Sequence, residues 1–114
     1  MQYDLEERTY KFARRCRDFI NKLSKTITNV EYEKQLARSS GSQAANYIEA
    51  NESLSKKDFR HRIKICRKEA KESRLWLRLC EIGNIKELIR EQKGLIQEAQ
   101  ELTKIFSSIV EKSK

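Results

Sequence analysis

The sequence predicts an all-α protein, an antiparallel up-down-up-down four-helix bundle formed by residues 1–114 as one domain. Three observations carry that expectation. Proline is absent, glycine occurs three times, and the composition is rich in Lys, Arg, Glu, Gln and Leu, all good helix formers. Apolar residues recur at steps of three and four in four successive stretches. The segments between them are short and rich in capping residues, which suits antiparallel neighbours. At 114 residues the chain can bury one core and has little room for a second.

The first helix is expected from residue 3 to about residue 27. Leu5, Phe12, Cys16, Phe19, Ile20, Leu23 and Ile27 form its buried stripe, and Arg8, Lys11, Arg14, Arg15, Arg17, Lys22 and Lys25 lie outside it. Asn29 is placed to cap a second helix from about Val30 to Asn51, with Tyr32, Leu36, Ser40, Ala44, Tyr47 and Ile48 inward. Its middle, from Ala37 to Ala45, is built of small residues around Gly41. A glycine there gives up roughly 1 kcal/mol of helix propensity against alanine, so the tightest interhelical contact is expected at Gly41.

Ser55, three residues before Asp58, makes a variant capping box, and Leu54 is placed to staple onto Phe59, so the third helix is expected to start at Lys56. Its stripe of Phe59, Ile63, Cys66, Ala70, Ser73, Leu77 and Cys80 has the four-three repeat of a shallow bundle crossing. Leu75, Trp76, Leu79 and Ile82 add apolar positions on other faces, which predicts a contact between subunits near Trp76. Gly83 suits the residue after a helix end, and Asn84 with Glu87 reads as another cap, giving a tight hairpin into a fourth helix from Ile85 to about Glu111. Leu88, Ile89, Leu95, Ile96, Ala99, Leu102, Phe106, Ile109 and Val110 form its stripe, and Gln92-Lys93-Gly94 leaves room for a kink or break.

No apolar run approaches the roughly 20 residues of a membrane helix, and the opening Met1-Gln-Tyr-Asp-Leu-Glu-Glu-Arg8 is acidic where a secretory signal is basic and then apolar. A cytoplasmic protein without a membrane partner is expected. Cys16, Cys66 and Cys80 form neither an even disulfide set nor a Cys-x-x-Cys pair, so buried, reduced thiols are expected. His61 alone cannot complete a zinc site, and Glu49, Glu69 and Glu72 are expected to pair with Arg38, Arg62 or helix caps rather than hold a metal. With no nucleophile and base at matching positions, no phosphate loop and no dinucleotide turn, the sequence predicts no enzymatic activity, cofactor or small-molecule substrate.

The net charge of +8 is uneven. Residues 1–28 carry +3, residues 29–55 carry −2, residues 56–83 carry +6 and residues 84–114 carry +1. At 100° per residue, Arg60, Lys64, Arg67, Lys71, Arg74 and Arg78 share one narrow sector of the third helix, with Asp58, Glu69 and Glu72 on the far side. The result is a ridge of one sign, about 27 Å long at 1.5 Å per residue. Its five successive like-charge pairs oppose helix formation by roughly 1–2.5 kcal/mol together, a cost that an anionic partner would relieve. Phosphates of a nucleic acid are one such partner. Carboxylates of Glu87, Glu91, Glu98 and Glu101, within or between subunits, are another, and a merely solvated face is the third reading.

The run Arg38-Ser-Ser-Gly-Ser-Gln-Ala-Ala-Asn-Tyr-Ile-Glu-Ala-Asn-Glu52, followed by Ser55-Lys-Lys-Asp-Phe59 and Lys68-Glu-Ala-Lys-Glu-Ser-Arg-Leu-Trp-Leu77, resembles the signature of the bacterial four helix bundle protein family. Members of that family are associated with intervening sequences in large-subunit ribosomal RNA genes. The resemblance implies an antiparallel bundle that assembles as a ring, a pentamer. It also implies a distant likeness to the accessory proteins of diversity-generating retroelements, which bind a reverse transcriptase and nucleic acid. It brings no catalytic residue. Arg38, Asn46, Glu49 and Glu72 match its motif and are expected to hold the second and third helices together.

The resulting functional expectation is a small, non-enzymatic, self-associating protein that binds nucleic acid, RNA being favoured by the resemblance. Arg60, Lys64, Arg67, Lys71, Arg74 and Arg78 would contact phosphates with help from Arg14, Arg15 and Arg17, and Leu75, Trp76, Leu79 and Ile82 would join subunits. The alternative is a scaffold or accessory subunit that meets a protein partner and has no direct nucleic-acid role.

Overall fold

Each of the four apolar stripes becomes one helix in the computed structural model, which describes residues 2–114. Helix α1 spans Gln2–Ile20, α2 spans Ile27–Asn51, α3 spans Lys56–Leu79 and α4 spans Lys86–Lys112. Sequence neighbours pack side by side and α4 returns to α1, while the diagonal pairs α1/α3 and α2/α4 make no close backbone approach. This is the predicted up-down-up-down bundle, 46 × 23 × 19 Å in extent. Among the described residues, no helix is long and apolar enough to cross a membrane.

Phe12 and Phe19 from α1, Leu36 and Tyr47 from α2, Ile63 and Leu77 from α3, and Leu95 and Phe106 from α4 meet in one core. Each such side chain contributes about 1.5–3 kcal/mol on burial. Tertiary packing of this kind, more than helix propensity, sustains these helices of about five to seven turns. Cys16, Cys66 and Cys80 are buried free thiols, as their positions suggested. Burial pushes the Cys16 and Cys66 thiols up to about 12 and that of Cys80 up to about 11, so all three stay protonated at neutral pH.

The small residues of α2 serve the seam with α3, but at a different place from the one expected. The Ser39 and Ser73 hydroxyls meet at 2.8 Å, both buried. Gly41 is exposed, with no atom within 4 Å of where a side chain would begin. Two residues from Ser39 is 200° around a helix, which turns Gly41 outward. The buried face of α2 runs through Leu36, Ser39, Ser40, Gln43, Tyr47 and Ala50, leaving Ala44 half-buried and Ile48 half exposed at 51%. Hydrophobicity misled there because Gln43 is fully buried, its amide donating to the Thr9 and Ser40 carbonyls at 2.8 and 2.9 Å.

The links also depart from expectation. Helix α1 ends at Ile20, although Leu23 still turns into the core. Thr26, not Asn29, is the N-cap of α2, its hydroxyl accepting the Asn29 amide at 3.2 Å, and Ile27 becomes an exposed first-turn residue. The Asn29 side chain is buried and fastens the α3–α4 link. Its Nδ2 donates to the Ser24 and Glu81 carbonyls at 3.1 and 2.9 Å, and its Oδ1 accepts the Glu81 amide at 2.8 Å. Ser55 caps α3 as expected, accepting the Asp58 amide at 3.0 Å, but Leu54 is 99% exposed and staples nothing.

Gly83 adopts φ +65°, the left-handed turn that glycine takes without a steric penalty. Asn84 does not cap α4; Ile85 holds that position without a side-chain bond. The role of a cap passes to Gln92, whose amide donates to the Leu77 and Cys80 carbonyls at 2.8 and 3.1 Å and closes the end of α3. Helix α4 runs unbroken through Gly94.

Candidate nucleic-acid interface

Helix α3 carries all six ridge residues in two parallel rows. Arg60, Arg67 and Arg74 recur every seven residues and are half-buried, their stems lying along the bundle surface. Lys64, Lys71 and Arg78 form the outer, exposed row. None of the six makes an ion pair or a side-chain hydrogen bond among the described residues, since the recorded pairs engage other cations. The Nε atoms of Arg60 and Arg74 are buried and have no partner. Lys68, exposed and unpaired, widens the outer row; its spacing of four from Lys64 was the signal that sequence reading passed over.

The ridge stays unpaired because the nearby carboxylates face elsewhere. Glu69 and Glu72 of α3 point to α2. Arg38 donates to both Glu69 oxygens at 3.2 and 3.3 Å and to Glu72 at 3.5 Å, and the Ser42 hydroxyl donates to Glu69 at 3.0 Å. Burial alone would raise the Glu69 carboxyl, but Arg38 and Ser42 outweigh it and hold the group below its ordinary value. Four acids of α4 point to α1. Arg8 meets Glu98 at 2.7 Å and Glu101 at 2.8 Å, while Lys22 meets Glu91 at 3.0 Å and Glu87 at 3.3 Å. Hydrogen bonding to Glu98 holds the Arg8 guanidinium above its usual range.

Neutralisation of the ridge by Glu87, Glu91, Glu98 and Glu101 of its own subunit is thereby overturned. Gln92 fixes which side of α4 meets α3. Helical spacing then puts Ile96, Thr103 and Ser107 on that same side, a border without charge.

The other expected site residues are distributed differently. Arg14 is exposed on α1, Arg17 bonds Asp18 at 3.0 and 3.1 Å, and Arg15 reaches toward α4, its Nη2 3.3 Å from where a side chain on Gly94 would begin. Since α1 stands diagonal to α3, one subunit does not bring this cluster to the ridge. Of the apolar surplus, Ile82 packs partly against the core, and Trp76 stacks on Tyr32 of α2 with centroids 6.2 Å apart and planes at 26°. Leu75 and Leu79 remain 45% and 39% exposed. Trp76 is thus covered within its own chain, and the surface left for a second molecule is that of Leu75 and Leu79.

Among the motif residues expected to join α2 and α3, Arg38 and Glu72 do so, and Asn46 accepts from the Arg62 guanidinium at 3.0 Å. Glu49 makes no such bond among the described residues and sits exposed near the end of α2. A shallow cleft of about 580 Å3 between α1 and α2 is lined by Glu6, Glu7, Tyr10, Ala44 and Ile48, opposite in charge to the ridge.

A crystal structure described as a protein with unknown function from the S23 ribosomal protein family of Bacteroides thetaiotaomicron has the same fold. Its TM-score is 0.79 at 27% identity, over 97% of this chain and 99% of that one. No curated protein matches the chain significantly. Residues 2–108 match the family described as 23S rRNA-intervening sequence protein, and the chain belongs to that family.

Proposed function

We propose that this protein is a non-enzymatic, cytoplasmic nucleic-acid-binding protein, with RNA as its preferred ligand. Phosphates would lie along Arg60, Lys64, Arg67, Lys71, Arg74 and Arg78. The observation that carries the reading is a ridge of six cations, about 27 Å long, with which no carboxylate forms an ion pair among the described residues. Guanidiniums take phosphate in a planar, two-pronged geometry, and the orphaned Nε of Arg60 and Arg74 would find acceptors in such an arrangement. The family's association with ribosomal RNA supports RNA over DNA.

Self-association in a ring, a pentamer on the earlier resemblance, belongs to the same proposal. Leu75 and Leu79 are its contact residues, in place of Trp76. Several ridges held in one particle would raise avidity for a polyanion beyond that of one subunit. The exposure of Leu75 and Leu79 also favours a second reading, in which the bundle is a scaffold that presents this patch to a protein partner.

The test is a binding titration with a structured RNA at two salt concentrations, alongside the absorbance ratio of protein purified without nuclease. The expected result is copurifying nucleic acid and binding that is tight at low salt and weak at high salt. Clean protein that ignores RNA at low salt would refute the reading and leave the scaffold in its place.

A further inference from the structure

We infer that the ridge selects base-paired RNA over unpaired strands, reading duplex shape and charge and ignoring sequence; this rests on the nucleic-acid reading above. Three observations lead to it. The ridge is straight and rigid, because α3 is clamped along its length between α2 and α4. Its two rows repeat every seven residues, about 10.5 Å apart along the axis, so the cations form a ladder and not a cup.

The ridge also lacks stacking surface. Unpaired bases are held mainly by stacking on aromatic rings. Phe12, Phe19, Tyr47 and Phe106 are buried, Phe59 packs against the core, and Trp76 is stacked on Tyr32 on the α2 side of α3. The half-exposed Tyr10 lies on α1 beside Glu6 and Glu7. Among the described residues, no phenyl, phenol or indole ring faces the path that a strand would follow along the six cations, and the exposed imidazole of His61, near the start of α3, lines a cleft with Glu49, Glu52 and Asp58.

The border of the ridge adds a third constraint. Base edges are read by side chains that enter a groove, Arg and Lys on guanine, Asn and Gln on adenine, and carboxylates on cytosine. Here the uncharged side of α4 and the stems of Arg60, Arg67 and Arg74 make a flat shoulder, and α3 is too enclosed to enter a groove. A flat, rigid, cationic ladder meets a duplex without either partner being reordered. A single strand must be straightened against it, with no ring to compensate that ordering.

Counterion release points the same way. Contact with six phosphates gives a salt slope of about −5.4 on a duplex and about −4.2 on a single strand. The difference of about 1.2 favours the duplex by roughly 15-fold at 0.1 M salt, before any ordering of the single strand is counted.

The experiment compares three ligands of equal nucleotide count on the full-length protein: a blunt RNA duplex of mixed sequence, a second duplex of unrelated sequence, and an unstructured single-stranded RNA. The expected result is equal affinity for the two duplexes and at least tenfold weaker binding of the single strand at moderate salt. A variant Lys68→Trp, which exchanges a cation of the outer row for a ring, is expected to narrow the gap between duplex and single strand relative to Lys68→Ala, which loses the same charge without gaining a ring, with the fold of both checked by circular dichroism. Equal or tighter binding of the single strand by the unmodified protein would overturn duplex selection while leaving RNA binding intact. A large difference between the two duplexes would overturn the claim that sequence is ignored. Failure of all three ligands at low salt would overturn both this inference and the function on which it rests.

Discussion

Replacing Asn29 with alanine separates the role of this residue in the fold from the cap that its position in the sequence suggested. The side chain is fully buried and makes three hydrogen bonds of 2.8 to 3.1 Å, two to the backbone of Glu81 and one to the Ser24 carbonyl. Each neutral bond contributes about 0.5–1.5 kcal/mol net, and Ser24 and Glu81 are exposed enough for water to recover part of the loss, so Asn29→Ala should destabilise by about 2–3 kcal/mol. For a chain of this size that lowers Tm by about 8–12 °C. Urea unfolding followed by circular dichroism should show a lower midpoint at unchanged slope. Hydrogen exchange should show the Glu81 amide losing its protection. Loss of a helix cap alone would be worth about 1 kcal/mol and would leave Glu81 untouched. A change below about 0.5 kcal/mol, within the range of ordinary surface substitutions, or an unaltered Glu81 amide, would refute the clamp.

Four further outcomes follow from the same geometry. The folded-state value of Glu69 is depressed, so its pairing with Arg38 and Ser42 stabilises the fold above the ordinary glutamate range and is lost as pH falls through the depressed value. Urea midpoints taken from neutral pH down to about pH 3 should fall less steeply for Glu69→Gln than for the unmodified protein. Cys16, Cys66 and Cys80 are raised from an ordinary 9.0, so the stability they contribute is complete below that value and declines as pH climbs toward 11–12. A thiol reagent should therefore label none of them in the native protein at neutral pH and all of them in urea. Leu75→Glu combined with Leu79→Glu should reduce the mass seen by light scattering to that of one subunit without changing helix content. Trp76→Glu should lower stability as well, because it breaks the stack with Tyr32.

The architecture was legible because periodicity reports on the core directly. The stripes of α1, α3 and α4 through Phe12, Ile63, Leu77, Leu95 and Phe106 are buried where spacing placed them. Ser55 and Gly83 marked their turns because a side-chain acceptor and a positive φ are local needs. What escaped notice was long-range polarity. Asn29 and Gln92 serve backbone groups 52 and 12–15 residues away, respectively, and no local pattern announces such a partner. Gln43 and Ser39 look like surface residues and are core, which shifted the expected face of α2 and put Gly41 in the wrong contact.

The candidate site was legible as a charge pattern only. That Arg60 through Arg78 share a sector follows from 100° spacing, but whether acids neutralise them depends on which way α4 is rotated. Lys22 and Arg8 of α1 settle that rotation by drawing Glu87, Glu91, Glu98 and Glu101 away. The separation of Arg14, Arg15 and Arg17 from the ridge likewise depends on α1 standing diagonal to α3, which the order of helices leaves open.

The most direct test of the ridge is the salt dependence of RNA affinity in the unmodified protein and in Lys64→Glu combined with Lys71→Glu, with Lys34→Glu on α2 as control. On duplex RNA the unmodified protein should give a log–log slope of about −5.4, and the double reversal should flatten it by about 2 and weaken binding by roughly 60-fold or more at 0.1 M salt. Lys34→Glu should leave both quantities nearly unchanged. A double reversal that binds RNA with the same slope and affinity as the unmodified protein would contradict the account, because the phosphates would then lie somewhere other than along α3.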